Sequence, residues 1–231
     1  MRMHLSVLAL LGLLLASPAA ADVTIRYAPD PPNNRGLIIE ADAQGRVRAE
    51  TGPGQLLITR DGVTYVVTPG EEGPRVSRLD DFLVIATEAA RAYRRANPVR
   101  TPPPELHYRL RERGPETVGI WPGTRIDIEV IGSTSEDSAS QWVTSADPAL
   151  AEAGRIANGI FEVQSRIFET VISNPGELMA LLQQLRQRGA PLRLGGQYHL
   201  ESLSADPVPA GRFDLPGPVL SQAQLRALQP H

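Results

Sequence analysis

Along Thr124-Arg-Ile-Asp-Ile-Glu-Val130 the apolar residues Ile126, Ile128 and Val130 alternate with Arg125, Asp127 and Glu129. A period of two puts one set on each face of a strand, and only an extended chain resting one dry face on a core satisfies it. The pattern recurs. Val23, Ile25 and Tyr27 alternate with Thr24 and Arg26; Leu37 and Ile39 flank Ile38; Val47 and Ala49 alternate with Arg46, Arg48 and Glu50. Gln55 to Arg60 joins Val63 to Thr68 through Asp61-Gly62, a pair suited to a type I′ hairpin because both central residues need φ > 0. The N-terminal third is therefore predicted as a meander of four or five short antiparallel strands. Asp30-Pro-Pro-Asn-Asn34 and Gly52-Pro53-Gly54 act as turns. The glycine loop before Gln55 lacks the Lys and following helix of a phosphate cradle.

Helical signals interrupt the strands. Ser77 is expected to cap a first helix carrying Phe82, Ile85, Ala86, Ala89 and Tyr93 as its apolar stripe. Asp80 and Asp81 sit at its positive end and Arg91, Arg94 and Arg95 at its negative end, before Asn97-Pro98 stops it. Beyond the linker Arg100–Pro104, Leu106, Tyr108 and Leu110 alternate with His107, Arg109 and Arg111. Gly114-Pro115 is expected to turn the chain toward Val118–Trp121.

The chain pivots on Thr124–Arg188. After the alternating strand come a polar loop, Gly132–Ser140, and a short strand, Gln141-Trp-Val-Thr-Ser145. Asp147-Pro148 then supplies an N-cap and the proline favoured at the first helical position. Ile156, Ile160, Val163, Ile167 and Val171 line one stripe with Ala153, Ala157, Phe161 and Phe168 beside it. Such a helix is expected to be largely buried or to cover a cavity. A second capped start, Asn174-Pro175-Gly176-Glu177, opens a helix with Leu178, Leu181, Leu182 and Leu185 at i, i+3, i+4 and i+7, ended by Gly189. Strand returns over Pro191–Ser204 with a bulge or bend at Gly195-Gly196. A Pro-rich extension follows, and a last helix capped by Ser221 is expected to pack against the sheet edge.

Residues 1–21 read as a signal peptide: Arg2, an apolar run from Leu5 to Ala16, and Ala19-Ala20-Ala21 before Asp22. The run falls short of the ~20 residues of a span, so after cleavage no transmembrane segment is expected and residues 22–231 form one periplasmic domain. The absence of Cys excludes thiolate metal sites, thiol nucleophiles, disulfides and lipid attachment at the cleavage site. All 23 basic residues are Arg, yet the net charge is −3 and no basic run interleaves with aromatics, so no nucleic-acid partner is expected.

No catalytic or metal-binding motif stands out. His107 lies among arginines, which oppose a cation. His199 has Glu201 at i+2 on its face, the basis of a third-ranked hydrolase reading, but no nucleophile elbow accompanies the pair. The expectation is a non-enzyme with no cofactor and no metal.

A strand ending in Trp142-x-Thr144-Ser145-x-Asp147-Pro148-x-Leu150, after a β meander and before a long helix, resembles exported domains of unknown function. These in turn are similar to the Lol-type superfamily of periplasmic lipoprotein carriers. That resemblance implies an α+β fold: a curved antiparallel β-sheet, an incomplete barrel, with helices packed on its concave face. The carrier's functional arginine has no one counterpart here, and the missing cysteine excludes the membrane-anchored receptor form. Fold alone does not assign a job. Two readings lead. In the first, a lipid or other apolar ligand lies between sheet and helices, lined by Leu57, Tyr65, Val67, Ile126, Ile128 and Trp142. In the second, those side chains fill a closed core and the partner is another envelope protein.

Overall fold

The computed structural model describes residues 22–31, 36–98, 106–131, 140–171 and 176–229. The expected signal peptide, the Arg100–Pro104 linker, most of the Gly132–Ser140 loop, most of the Asp30–Asn34 turn and the Asn174-Pro175 cap lie outside the described residues.

Eleven strands form one sheet. They are β1 (Val23–Pro29), β2 (Leu37–Ala41), β3 (Val47–Gly52), β4 (Gln55–Arg60), β5 (Val63–Thr68), β6 (Arg75–Arg78), β7 (Tyr108–Val118), β8 (Trp121–Val130), β9 (Ser140–Ser145), β10 (Ala190–Leu194) and β11 (Tyr198–Ser204). Their order is β6-β5-β4-β3-β2-β1-β11-β10-β9-β8-β7, and each neighbouring pair is antiparallel. The sheet does not close into a barrel: β6 and β7 are its edges. Helices α1 (Leu79–Ala96), α2 (Ala151–Val171) and α3 (Gly176–Arg186) pack on its concave face, and a short α4 (Gln222–Ala227) packs on α1. The fold is the α+β arrangement expected.

Alternation decides which side chains meet the helices. Ile25, Tyr27, Leu37, Ile39, Leu57, Val66 and Leu200 project from the sheet into one core with Leu79 of α1 and Ile156 and Ile160 of α2. The opposite face is not simply wet. Ile58, Val67 and Val76 form a second buried cluster with Tyr65 and Leu56, and the chain beyond β11 covers it with Leu215. Phe213 in the same extension is fully buried, and the Arg46 guanidinium lies 4.9 Å from its ring centroid. Val219 then bridges Val76 in parallel, Leu220 N–H donates to the Val76 carbonyl at 2.8 Å, and Ser221 and Gln224 form a capping box at α4. The extension thus covers the short edge strand β6, which would otherwise offer unpaired backbone groups to another chain.

Local sequence explains most boundaries. Asp61 (φ 52°) and Gly62 (φ 72°) make the β4–β5 turn with both residues in the left-handed region. Asp147 accepts from Ala149 N–H at 2.9 Å and opens a single 3-10 turn, Pro148–Leu150, before α2. Several expectations are corrected. Ser77 does not cap α1; it belongs to β6, a strand the pattern did not show, and its hydroxyl donates to the Val66 carbonyl, so α1 starts without a side-chain cap. Tyr93 is 70 % exposed and Ala89 is exposed too, so the apolar stripe of α1 is buried only in its N-terminal half, at Leu79 and Ile85. Gly114-Pro115 pairs within an unbroken β7, just past a bulge at Arg113 between Glu112 and Gly114, and the chain reverses at Gly119-Ile120 instead. Gly195-Gly196 is the β10–β11 turn rather than a bulge in one long strand.

Candidate ligand-binding groove

α2 is close to the sheet at one end and stands off at the other. A Cβ built on Gly154 would lie 2.7 Å from the Ala190 Cβ, so the absence of a side chain lets the helix start hard against β10. Ile156, Ala157 and Ile160 are buried, Phe161, Val163 and Ile167 are half-buried, and Phe168 is 58 % exposed. The widening gap beneath the far end is the groove.

Its floor is Trp142 of β9, Leu194 of β10 and Tyr198 of β11, and its walls are Phe161 and Phe168 of α2 with Leu178 and Leu182 of α3. The volume is about 250 Å³, reached from solvent and mostly apolar. The Trp142 indole N–H donates to Ser140 Oγ at 3.2 Å, which satisfies its one polar group. Gly195 sits over that contact, where a Cβ would come within 2.8 Å of Ser140 Oγ. On the other flank of α2 a second cleft of about 430 Å³ shares Gln164, Phe168, Gln197 and Tyr198 with the first and reaches Leu57, Val66 and Phe82. Volumes in this range suit small ligands, and a few polar groups around an apolar lining are the usual composition of such sites.

The six residues expected to line a single cavity are divided. Trp142 lines the groove. Leu57 borders the second cleft with its side chain in the main core. Ile126 and Ile128 pack beneath α3 against Leu185, so they fill a core. Val67 borders the second cleft, but with Tyr65 it packs in the cluster covered by Leu215, one alternation step away from Val66. Sequence patterning missed Phe161, Phe168, Leu182 and Tyr198 as a lining; the signal was the second apolar stripe on α2.

The polar face of β7 and β8 carries an ionic ladder. Asp127, expected on a wet face, is 2 % exposed, and it accepts from Arg113 Nε at 2.8 Å and Arg125 Nε at 3.0 Å. Burial pushes its carboxyl up, but those two guanidinium groups outweigh it and hold the pKa below the usual carboxylate range. Glu129, held by the Arg109 guanidinium at 2.5 Å, is lowered as well. Glu177 accepts from Tyr108 N–H at 3.0 Å and meets His107 at 3.2 Å; the backbone donor and then the imidazole lower its pKa. These contacts fasten α3 to β7.

His199 pairs with Asp30 across the β1–β11 junction, Nδ1 to Oδ1 at 2.7 Å, rather than with Glu201. Arg193 Nε lies 3.9 Å from the same Asp30. Among the described residues no hydroxyl hydrogen-bonds to His199, and no group of three or more His, Asp or Glu gathers as a metal site.

Fold and groove together define an α+β protein in which an open antiparallel sheet and the helices on its concave face part to leave an apolar slot. No family model, curated protein or solved structure matches the chain.

Proposed function

We propose that this is a non-catalytic periplasmic protein that holds an apolar, lipid-like ligand between its sheet and its helices. One observation carries the reading. Phe161, Phe168, Leu182, Trp142 and Leu194 converge from two helices and two strands on a slot of about 250 Å³ that no side chain of the described residues fills. A slot lined this way gains free energy when an apolar guest displaces its water. The open sheet with helices on its concave face also suits the Lol-type architecture that the Trp142–Leu150 segment resembles. Among the described residues no hydroxyl hydrogen-bonds to His199, so its pair with Asp30 has no nucleophile to activate, which favours binding over hydrolysis.

Protein expressed with its N-terminal leader and purified from the periplasm is expected to release about one equivalent of lipid per chain on solvent extraction. An extract with no stoichiometric apolar compound, from protein that is folded and exported, would move the assignment to a protein-interaction module with a closed core.

A further inference from the structure

We infer that the occupant of the groove is a single-chain amphiphile with an anionic head, a carboxylate or a phosphate, bound by Arg186; this rests on the apolar-ligand reading above. Arg186 is the last residue of α3, half-buried, and the one charged side chain among the described residues bordering the groove. Its Nη1 donates to Ser165 Oγ at 3.2 Å, and that hydroxyl is itself committed to the Phe161 carbonyl at 2.8 Å. The guanidinium is thereby pinned at the rim.

A guanidinium offers five N–H donors in a planar fork that matches two oxygens of a carboxylate or phosphate. Here one donor is engaged by a side chain among the described residues, and no carboxylate among them lies within 4 Å of Arg186. Glu162 and Glu169 border a polar cleft that shares Ser165 and Arg186 with the groove, yet neither forms an ion pair with it. Comparable arginines elsewhere are partnered: Arg48 with Glu40, Arg125 with Asp127, Arg193 with Glu116. A half-buried cation with no anionic partner among the described residues, beside an apolar wall, carries an electrostatic deficit, and an anionic head with its chain laid on Trp142 and Leu182 would remove it.

The test uses three probes with the same lauryl chain: lauric acid, lauryl phosphate and uncharged lauryl maltoside. Trp142 fluorescence reports occupancy in a Trp121→Phe background. The two anions are expected to bind about tenfold more tightly than the maltoside at low ionic strength, the magnitude of one charged hydrogen-bonded contact. Arg186→Gln should remove that advantage, so that the anions bind no more tightly than the maltoside to the same variant, and Arg186→Lys should restore part of it. In the wild type, added salt should weaken the anions alone, a readout that needs no variant. A preference for laurate assigns free fatty acids, and one for lauryl phosphate assigns phosphorylated lipids. Equal binding of all three probes, unaffected by Arg186→Gln and by salt, overturns the head-group assignment while the groove stands. Failure of all three to bind overturns the groove reading itself.

Discussion

The hydroxyl of Tyr27 donates to the carbonyl of Pro191 at 2.9 Å, joining β1 to β10 past the intervening β11. β10 and β11 pair only through Arg193–His199 and Leu194–Tyr198, so this bond spans the place where the sheet parts. The ring of Tyr27 also meets Phe161 edge-on, with centroids 6.0 Å apart, and so supports a wall of the groove from below.

Tyr27→Phe keeps the ring and removes the donor, which leaves the buried Pro191 carbonyl without that partner. A loss of about 1–3 kcal/mol is expected, read as a lower urea midpoint with unchanged slope. Burial raises the phenol pKa, so the hydroxyl stays a donor at any pH where the protein is studied. An unaltered midpoint would mean that the bond does not hold the sheet at this junction.

Asp127 is one of the carboxylates whose protonation weakens the fold in acid. Its folded pKa lies below its unfolded value, so its contribution is present above about pH 4 and is lost as pH falls through the folded pKa. Asp127→Asn removes the charge between Arg113 and Arg125 and is expected to cost about 2 kcal/mol at pH 7. The gap between wild type and variant should narrow steadily below pH 4, where the wild-type carboxyl is itself protonated. A gap of constant size from pH 7 to pH 2 would show that the ionised form is not what matters.

Phe213 tests the extension beyond β11. The ring is fully buried with Arg46 against its face, and the neighbouring Leu215 covers Ile58, Val67 and Val76. Phe213→Ala is expected to lower stability by about 3 kcal/mol, as for a core residue. A change within ~0.5 kcal/mol, the size of a surface effect, would show that the extension is dispensable.

Much of this fold was legible from period and punctuation. The alternations in β1 and β2, the strands β4 and β8, the Asp61-Gly62 turn and the Asp147-Pro148 start all stand where local chemistry places them, because each is decided by neighbours within a few residues. What local chemistry does not carry is which face of a strand meets which layer. Tyr65 and Val67 alternate as cleanly as any core strand, but their dry face is supplied by Leu215, far along the chain. Asp127 reads as solvent-facing until Arg113, shifted into reach by the bulge at Glu112/Gly114, closes over it. The groove was half legible: Phe161 and Phe168 announced an oversized apolar surface on α2, while the gap beneath depends on Gly154 pressing the other end of the helix onto Ala190.

Binding of a neutral hydrophobic dye to delipidated protein measures the groove most directly. Nile red is expected to bind the wild type saturably, near one per chain, and to be displaced by a lauryl-chain probe. Phe168→Glu is the decisive variant, because the residue is 58 % exposed and its replacement leaves the core intact while placing a charge at the mouth of the slot. That variant should keep the wild-type melting temperature and lose most of the dye binding. Wild-type protein that takes up no dye saturably, or Phe168→Glu protein that binds it as well as the wild type, would contradict the account.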